Sequence, residues 1–160
     1  MFLRFKRCTR IGELKAGADA VVEGTVKARE SLNLPGPGTK CVYYDQLVET
    51  YGRGARGGGR PFWQPQSAEQ KLVGFYVEDA TGRVWVDVAA AAVALSGAPT
   101  ETGQFGAKAK KRFTARLLKD GFVVKIHAAV DEPRGKEPRG TLALRPRADG
   151  RLEVLVRSAR

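Results

Sequence analysis

The sequence predicts a mainly β fold, a small barrel or sandwich with one or two short helices. Three observations carry this prediction: short runs in which β-branched and aromatic residues alternate with polar ones, turn signals rich in Gly, Pro and Asp between them, and few stretches with a helical apolar period. Seven or eight such runs fit into the 160 residues, and a hydrophobic content of 42% is enough for one globular domain with a core.

In chain order, GADAVVEGTVKA at Gly17 to Ala28 reads as a strand with an interior Gly24, followed by a Pro/Gly loop, LNLPGPGTK. CVYYDQLVETY at Cys41 to Tyr51 is a half-buried strand, with Val42, Tyr44, Gln46 and Val48 alternating against Tyr43, Asp45, Leu47 and Glu49. YGRGARGGGRPFW then opens a segment read as a flexible Gly/Arg loop over residues 52–70. GFYVEDATGRVWVDV at Gly74 to Val88 is a hairpin in which Asp79 caps the turn through its side chain.

Leu95 to Gly106 reads as a turn-rich connector. AKAKKRFTARLLKDG reads as a short helix, because Phe113, Leu117 and Leu118 fall at i, i+4 and i+5 and Gly121 supplies a stop. Phe122 to Val130 is a strand with Val124, Ile126 and Ala128 on one face and Val123, Lys125 and His127 on the other. Beyond the DEPRGKEPRG linker, Asp149-Gly150 between two alternating runs predicts a C-terminal hairpin over about residues 140–158. This pattern favours a small β-barrel of the oligonucleotide-binding-like kind, in a single domain over residues 1–160.

The order of parts is distinctive: a strand with Gly, a Pro/Gly loop, a Cys-Val-Tyr-Tyr strand, a variable insert, and a Phe-Tyr-x-Glu-Asp-x-Thr-Gly-x-Val-x-Val-Asp hairpin. Over about residues 11–130 it resembles the GIDE (also called BAM) domain, found between the membrane helices of mitochondrial RING ubiquitin ligases and in bacterial proteins. The resemblance implies a scaffold module that binds a protein partner, near a membrane in the ligases. Its binding surface would draw on Tyr43, Tyr44, Phe75, Tyr76 and Trp85, although strand alternation buries at least half of such a set. Ligase activity does not carry over, because a RING needs many zinc ligands and this chain has two Cys and one His.

The longest apolar run, Val84 to Leu95, contains Asp87 and falls short of the ~20 residues of a membrane span. The N-terminus lacks the apolar core of a secretory signal, so a cytoplasmic protein is expected. In that setting Cys8 and Cys41 are expected reduced, with Cys41 acting as a small buried hydrophobe.

Charge is the second signal. Residues 105–160 carry 15 basic and 6 acidic side chains, residues 1–104 carry 13 and 11, and the whole chain has a net charge of +11. Such a patch attracts nucleic acid, an anionic membrane surface or an acidic protein, or is simply a solvated face. For nucleic acid, Arg53, Arg56, Arg60, Lys108, Lys110, Lys111 and Arg112 would contact phosphates, and Trp63 or Tyr51 would stack on bases. For a membrane, the basic N-terminus with Phe2, Leu3 and Phe5 would form a short anchor. The Gly/Arg loop lacks the Lys-Ser/Thr of a phosphate-cradling P-loop.

Catalytic residues, metals and cofactors are not expected. His127 is the one base suited to neutral pH, and it sits in an apolar strand without a nucleophile nearby. Glu78, Asp79 and Asp87 gather around one hairpin, where the turn accounts for Asp79 and strand ends or solvent for the other two.

Overall fold

The computed structural model describes residues 3–53 and 59–159. It is mainly β, as expected, and contains a closed five-stranded barrel; its helical segments among the described residues are short 3-10 turns.

The barrel starts with β1 (Asp19–Ala28), whose alternation sends Val22 and Val26 inward. One part of β1 pairs antiparallel with β11 (Val123–Asp131), and its last residues pair with β6 (Phe75–Asp79). Gly24 stands where the strand passes between these partners. A Cβ there would lie 2.4 Å from the Glu78 carbonyl oxygen, so the interior glycine permits the close approach. β6 turns into β7 (Gly82–Val86), β7 pairs in parallel with β12 (Ala143–Arg145), and β12 pairs with β11 to close the ring. Val77, Val84, Val86, Val124, Ile126, Ala128 and Leu144 fill its interior with no exposed surface.

The C-terminal segment departs from the expected hairpin. β12 and β13 (Leu152–Ser158) do not pair with each other; both lie antiparallel along the same β11, β12 beside Ala129–Asp131 and β13 beside Val123–His127. They form one strand interrupted by a turn, with Gly150 N–H donating to the Arg147 carbonyl at 2.8 Å. Residues 140–158 therefore complete the barrel core through Leu144, Leu152 and Val154, and β8 (Val93–Ser96) adds in parallel to β13. The Asp-Gly signal located the turn, but β11 competes for both flanking runs with a longer apolar edge than either offers the other.

A second, four-stranded sheet has the order β5-β4-β10-β9. It comprises β4 (Tyr43–Gly52), β5 (Phe62–Leu72), β9 (Thr100–Phe105) and β10 (Lys111–Leu118). β4 and β5 belong to the insertion between β1 and β6, and β9 and β10 to the one between β8 and β11. An eight-residue ladder from Tyr43↔Leu118 to Thr50↔Lys111 joins them.

Here three expectations are corrected. Lys111–Leu118 is strand, not helix: Phe113, Ala115 and Leu117 are buried while Thr114 and Arg116 are exposed. The i, i+4 spacing that suggested a helix also places residues on one face of a strand, since four is a multiple of two. Of the segment expected as loop over 52–70, residues from Phe62 onward form β5; its polar, exposed sequence is that of an edge strand, with Pro65 at a bulge opposite Val48 and Glu49. The connector expected over Leu95–Gly106 contains β9.

Buried between this sheet and the Pro/Gly loop is a second core of Leu34, Cys41, Tyr44, Val48, Phe113, Ala115 and Leu117. β2 (Leu32–Asn33) and β3 (Lys40–Cys41) form a small hairpin within that covering segment. Buried Gln46 fastens the loop, its side-chain amide donating to the Pro35 carbonyl at 2.7 Å, and the Tyr44 hydroxyl donates to Glu69. Both cysteines are free thiols, and burial pushes Cys41 up to about 11. Among the described residues no helix is long and apolar enough to cross a membrane.

Asp79 ties the N-terminal segment to the barrel. Its carboxylate accepts from Ile11 N–H at 2.8 Å, Thr81 N–H at 2.7 Å, the Thr81 hydroxyl at 2.6 Å and Gly82 N–H at 3.1 Å. Burial acts to raise its pKa, and these hydrogen bonds together outweigh burial and hold it below the usual carboxylate range. A depressed folded-state pKa stabilises the protein above the unfolded value near 3.8 and loses that contribution as pH falls further. Asp79→Ala should cost about 2–3 kcal/mol, the scale of hydrogen bonds to a charged group. In denaturant titrations, the stability gap between wild type and Asp79→Asn should narrow below about pH 4.

Candidate functional site

At the end of the second sheet remote from the barrel, the last residues of β4 lie beside the β9–β10 connection, with Tyr51 N–H donating to the Lys110 carbonyl at 2.7 Å. Strand pairing thus gathers at one sheet end two groups that are about fifty residues apart in sequence: Arg53 and Arg60 from the β4–β5 connection, and Lys108, Lys110, Lys111 and Arg112 from the β9–β10 connection and the start of β10. Arg56 lies outside the described residues. Arg53, Arg60, Lys108 and Lys110 are exposed, and among the described residues none of these four, nor Lys111, has a carboxylate within 4.0 Å.

Aromatic side chains share this end. Tyr51 is 42% and Phe62 52% exposed, and Trp63 is half-buried. Tyr51 and Trp63 stand opposite each other across β4 and β5, with ring centroids 5.2 Å apart. The Arg112 guanidinium lies 4.4 Å from the centre of the Trp63 ring, and its Nε donates to Glu49 at 2.7 Å. That hydrogen bond holds the Glu49 carboxyl below its ordinary pKa. Glu49 thus holds Arg112 against the face of the Trp63 indole.

The β9–β10 turn is strained. After Gly106, Lys108 at φ 55° and Ala109 at φ 51° both adopt the left-handed conformation, and Lys110 N–H donates to the Ala107 carbonyl at 3.3 Å. Each non-glycine residue in that region costs roughly 1–2 kcal/mol. The turn holds Lys108 and Lys110 in solvent on either side of Ala109.

The aromatic set expected to form a binding surface is placed differently. Tyr43, Tyr44, Phe75 and Trp85 are at most 6% exposed, and only Tyr76 reaches the surface. Tyr43 and Tyr44 point to opposite faces of β4, yet both are covered, because the barrel core lies on one side of the strand there and the second core on the other. Trp85 packs edge-on to Tyr76 at 4.9 Å, and its Cζ2 would meet a Cβ at residue 74 at 2.2 Å, which accounts for Gly74. Of the residues expected to form a short N-terminal anchor, Leu3 is buried on the barrel, Phe5 is exposed and Phe2 lies outside the described residues.

The titratable groups considered for catalysis do not form one constellation. His127 faces outward from β11 with Nδ1 3.4 Å from Lys6 Nζ, and burial, then Arg147 and Lys6, lower its pKa. Glu78 stands opposite Arg83, Asp79 serves the turn, and burial followed by Glu137 raises the pKa of Asp87.

Three elements escaped sequence reasoning: Glu49 as the partner of Arg112, and the outward-facing polar rows Thr100, Thr102, Gln104 on β9 and Arg112, Thr114, Arg116 on β10. A period-two count over both segments would have found the rows.

Ala109→Gly removes the penalty at one left-handed position. It should raise the unfolding free energy of the protein by about 1 kcal/mol while leaving every cation in place, measurable by chemical denaturation.

No protein family, curated protein or solved structure matches this chain.

Proposed function

We propose that the chain is a non-catalytic binding module that holds single-stranded nucleic acid at the basic, aromatic end of its second sheet. One observation carries this reading: five cations without carboxylate partners among the described residues share one sheet end with the contacting side chains of Tyr51, Trp63 and Arg112, with exposed Phe62 next to Trp63 in β5. Unpaired cations attract phosphates, and aromatic faces stack on bases that only a single strand exposes. The barrel adds support. Its order β1-β6-β7-β12-β11 fits an oligonucleotide-binding-like barrel, in which the connection after the first strand takes part in binding; here that connection carries β4 and β5. The GIDE-like order of motifs agrees with a scaffold module without chemistry of its own.

Protein binding retains one specific support, the outer edge of β5, which pairs with no strand among the described residues and along which a partner strand would add. All of the aromatic surface expected for such a partner except Tyr76 is buried, so the basic end takes precedence.

Titration of labelled single-stranded oligonucleotides, followed by fluorescence anisotropy, tests the proposal. Neutralising about five phosphates gives a log-log salt slope near −3.5, or roughly a hundredfold weakening between 50 and 200 mM salt. Lys108→Ala/Lys110→Ala/Lys111→Ala should reduce that slope by about 2 with no change in thermal stability. Absence of binding at low salt would leave the edge of β5 and a protein partner as the answer.

A further inference from the structure

We infer that the outward face of β9 and β10 holds base edges rather than phosphates, so that the module discriminates between base compositions. This rests on the nucleic-acid reading above and assigns a separate task to the face that adjoins the basic end.

Two hollows run along this face. One of about 350 Å³ is lined by Arg112, Thr102 and Gln104, the other of about 310 Å³ by Thr100, Leu47 and Arg116, and they adjoin at Thr114, which lines both, as two parts of a shallow groove. The groove begins at Arg112, in the aromatic cluster, and ends at Arg116, whose guanidinium donates to the Leu95 carbonyl at 3.1 Å at the barrel edge.

Its electrostatics differ from those of the basic end. Both guanidiniums are already matched, Arg112 with Glu49 at 2.7 Å and Arg116 with Asp45 at 3.2 Å. A phosphate laid in the groove would meet two carboxylates and find no unmatched cation. What the groove offers is uncharged hydrogen-bonding capacity. Thr114 stands opposite Thr102, Arg112 opposite Gln104 and Arg116 opposite Thr100, and all four uncharged side chains are exposed. Residues two apart along a strand are about 6.8 Å apart, a repeat that suits bases splayed out of their stack. Leu47, 37% exposed on β4, supplies apolar contact for a ring face. The cationic end therefore holds the backbone of the strand while the groove reads its bases, the usual division between positioning and specifying contacts.

Gln104 makes the reading specific. Its side-chain amide presents one donor and one acceptor, the pair that matches the adenine edge, and a bidentate contact of this kind discriminates about fivefold or more.

The experiment compares anisotropy titrations of A, C and U or T homopolymers of equal length, as RNA and as DNA, at one salt concentration. Wild-type protein should favour adenine over cytosine about fivefold or more. Gln104→Ala should abolish the preference and leave the salt slope unchanged, with Thr114→Val as a second variant should Gln104→Ala prove poorly folded. The triple lysine variant should lower the slope and keep the preference. Equal affinity for all homopolymers with a steep slope would overturn this inference while leaving the nucleic-acid reading intact. Binding to anionic phospholipid vesicles with no binding to any oligonucleotide would overturn both.

Discussion

The pairing of β4 with β10 is the interaction on which the distinctive part of this structure depends. The barrel needs neither strand for closure. The eight-residue ladder from Tyr43↔Leu118 to Thr50↔Lys111 turns two separate insertions into one sheet, and it does so against the loop-closure cost of a separation of more than sixty residues. Apolar burial on both sides of its barrel end offsets that cost. Tyr43 and Leu118 enter the barrel core, while Tyr44 and Leu117 enter the second core. A ladder anchored between two cores at one end is free to project its other end, where the basic and aromatic side chains gather.

That arrangement determines what the projecting end presents. Arg112 could serve as one more loose cation, but Glu49 across the ladder ties it down and lays its guanidinium on Trp63. The lysines at 108, 110 and 111 have no such restraint and occupy or follow a turn in strained backbone. Fixed planar groups and free cations therefore lie side by side on the same sheet end, and the matched Arg116–Asp45 pair continues the fixed type toward the barrel.

Much of the barrel was legible in the residues. The alternation in Phe122 to Val130, the Gly24 strand and the Asp79 turn all appear where the pattern places them, because each is determined by local chemistry and one buried face. Edge and surface strands were not legible. Phe62–Leu72 has no buried face to impose an apolar alternation and contains Pro65, so it reads as loop. Lys111–Leu118 is short enough for Phe113 and Leu117 to satisfy both periods, and only the exposure of Thr114 and Arg116 separates them. The cations of the candidate site were identifiable from composition, but their meeting was not, since it depends on the β4–β10 ladder. Of the aromatic residues that looked available, Tyr43 and Phe75 enter the barrel core, Trp85 is covered beside Tyr76, and Tyr44 enters a second core completed by Phe113, Ala115 and Leu117, which are distant in sequence.

The central claim, that the sheet end remote from the barrel is where a nucleic-acid strand lies, is tested most directly by photo-crosslinking a halogenated single-stranded oligonucleotide to the protein and mapping the adducts by mass spectrometry. The account predicts adducts on Tyr51, Phe62 or Trp63. Adducts confined to Tyr76 and the barrel surface, with none on those three, would contradict it.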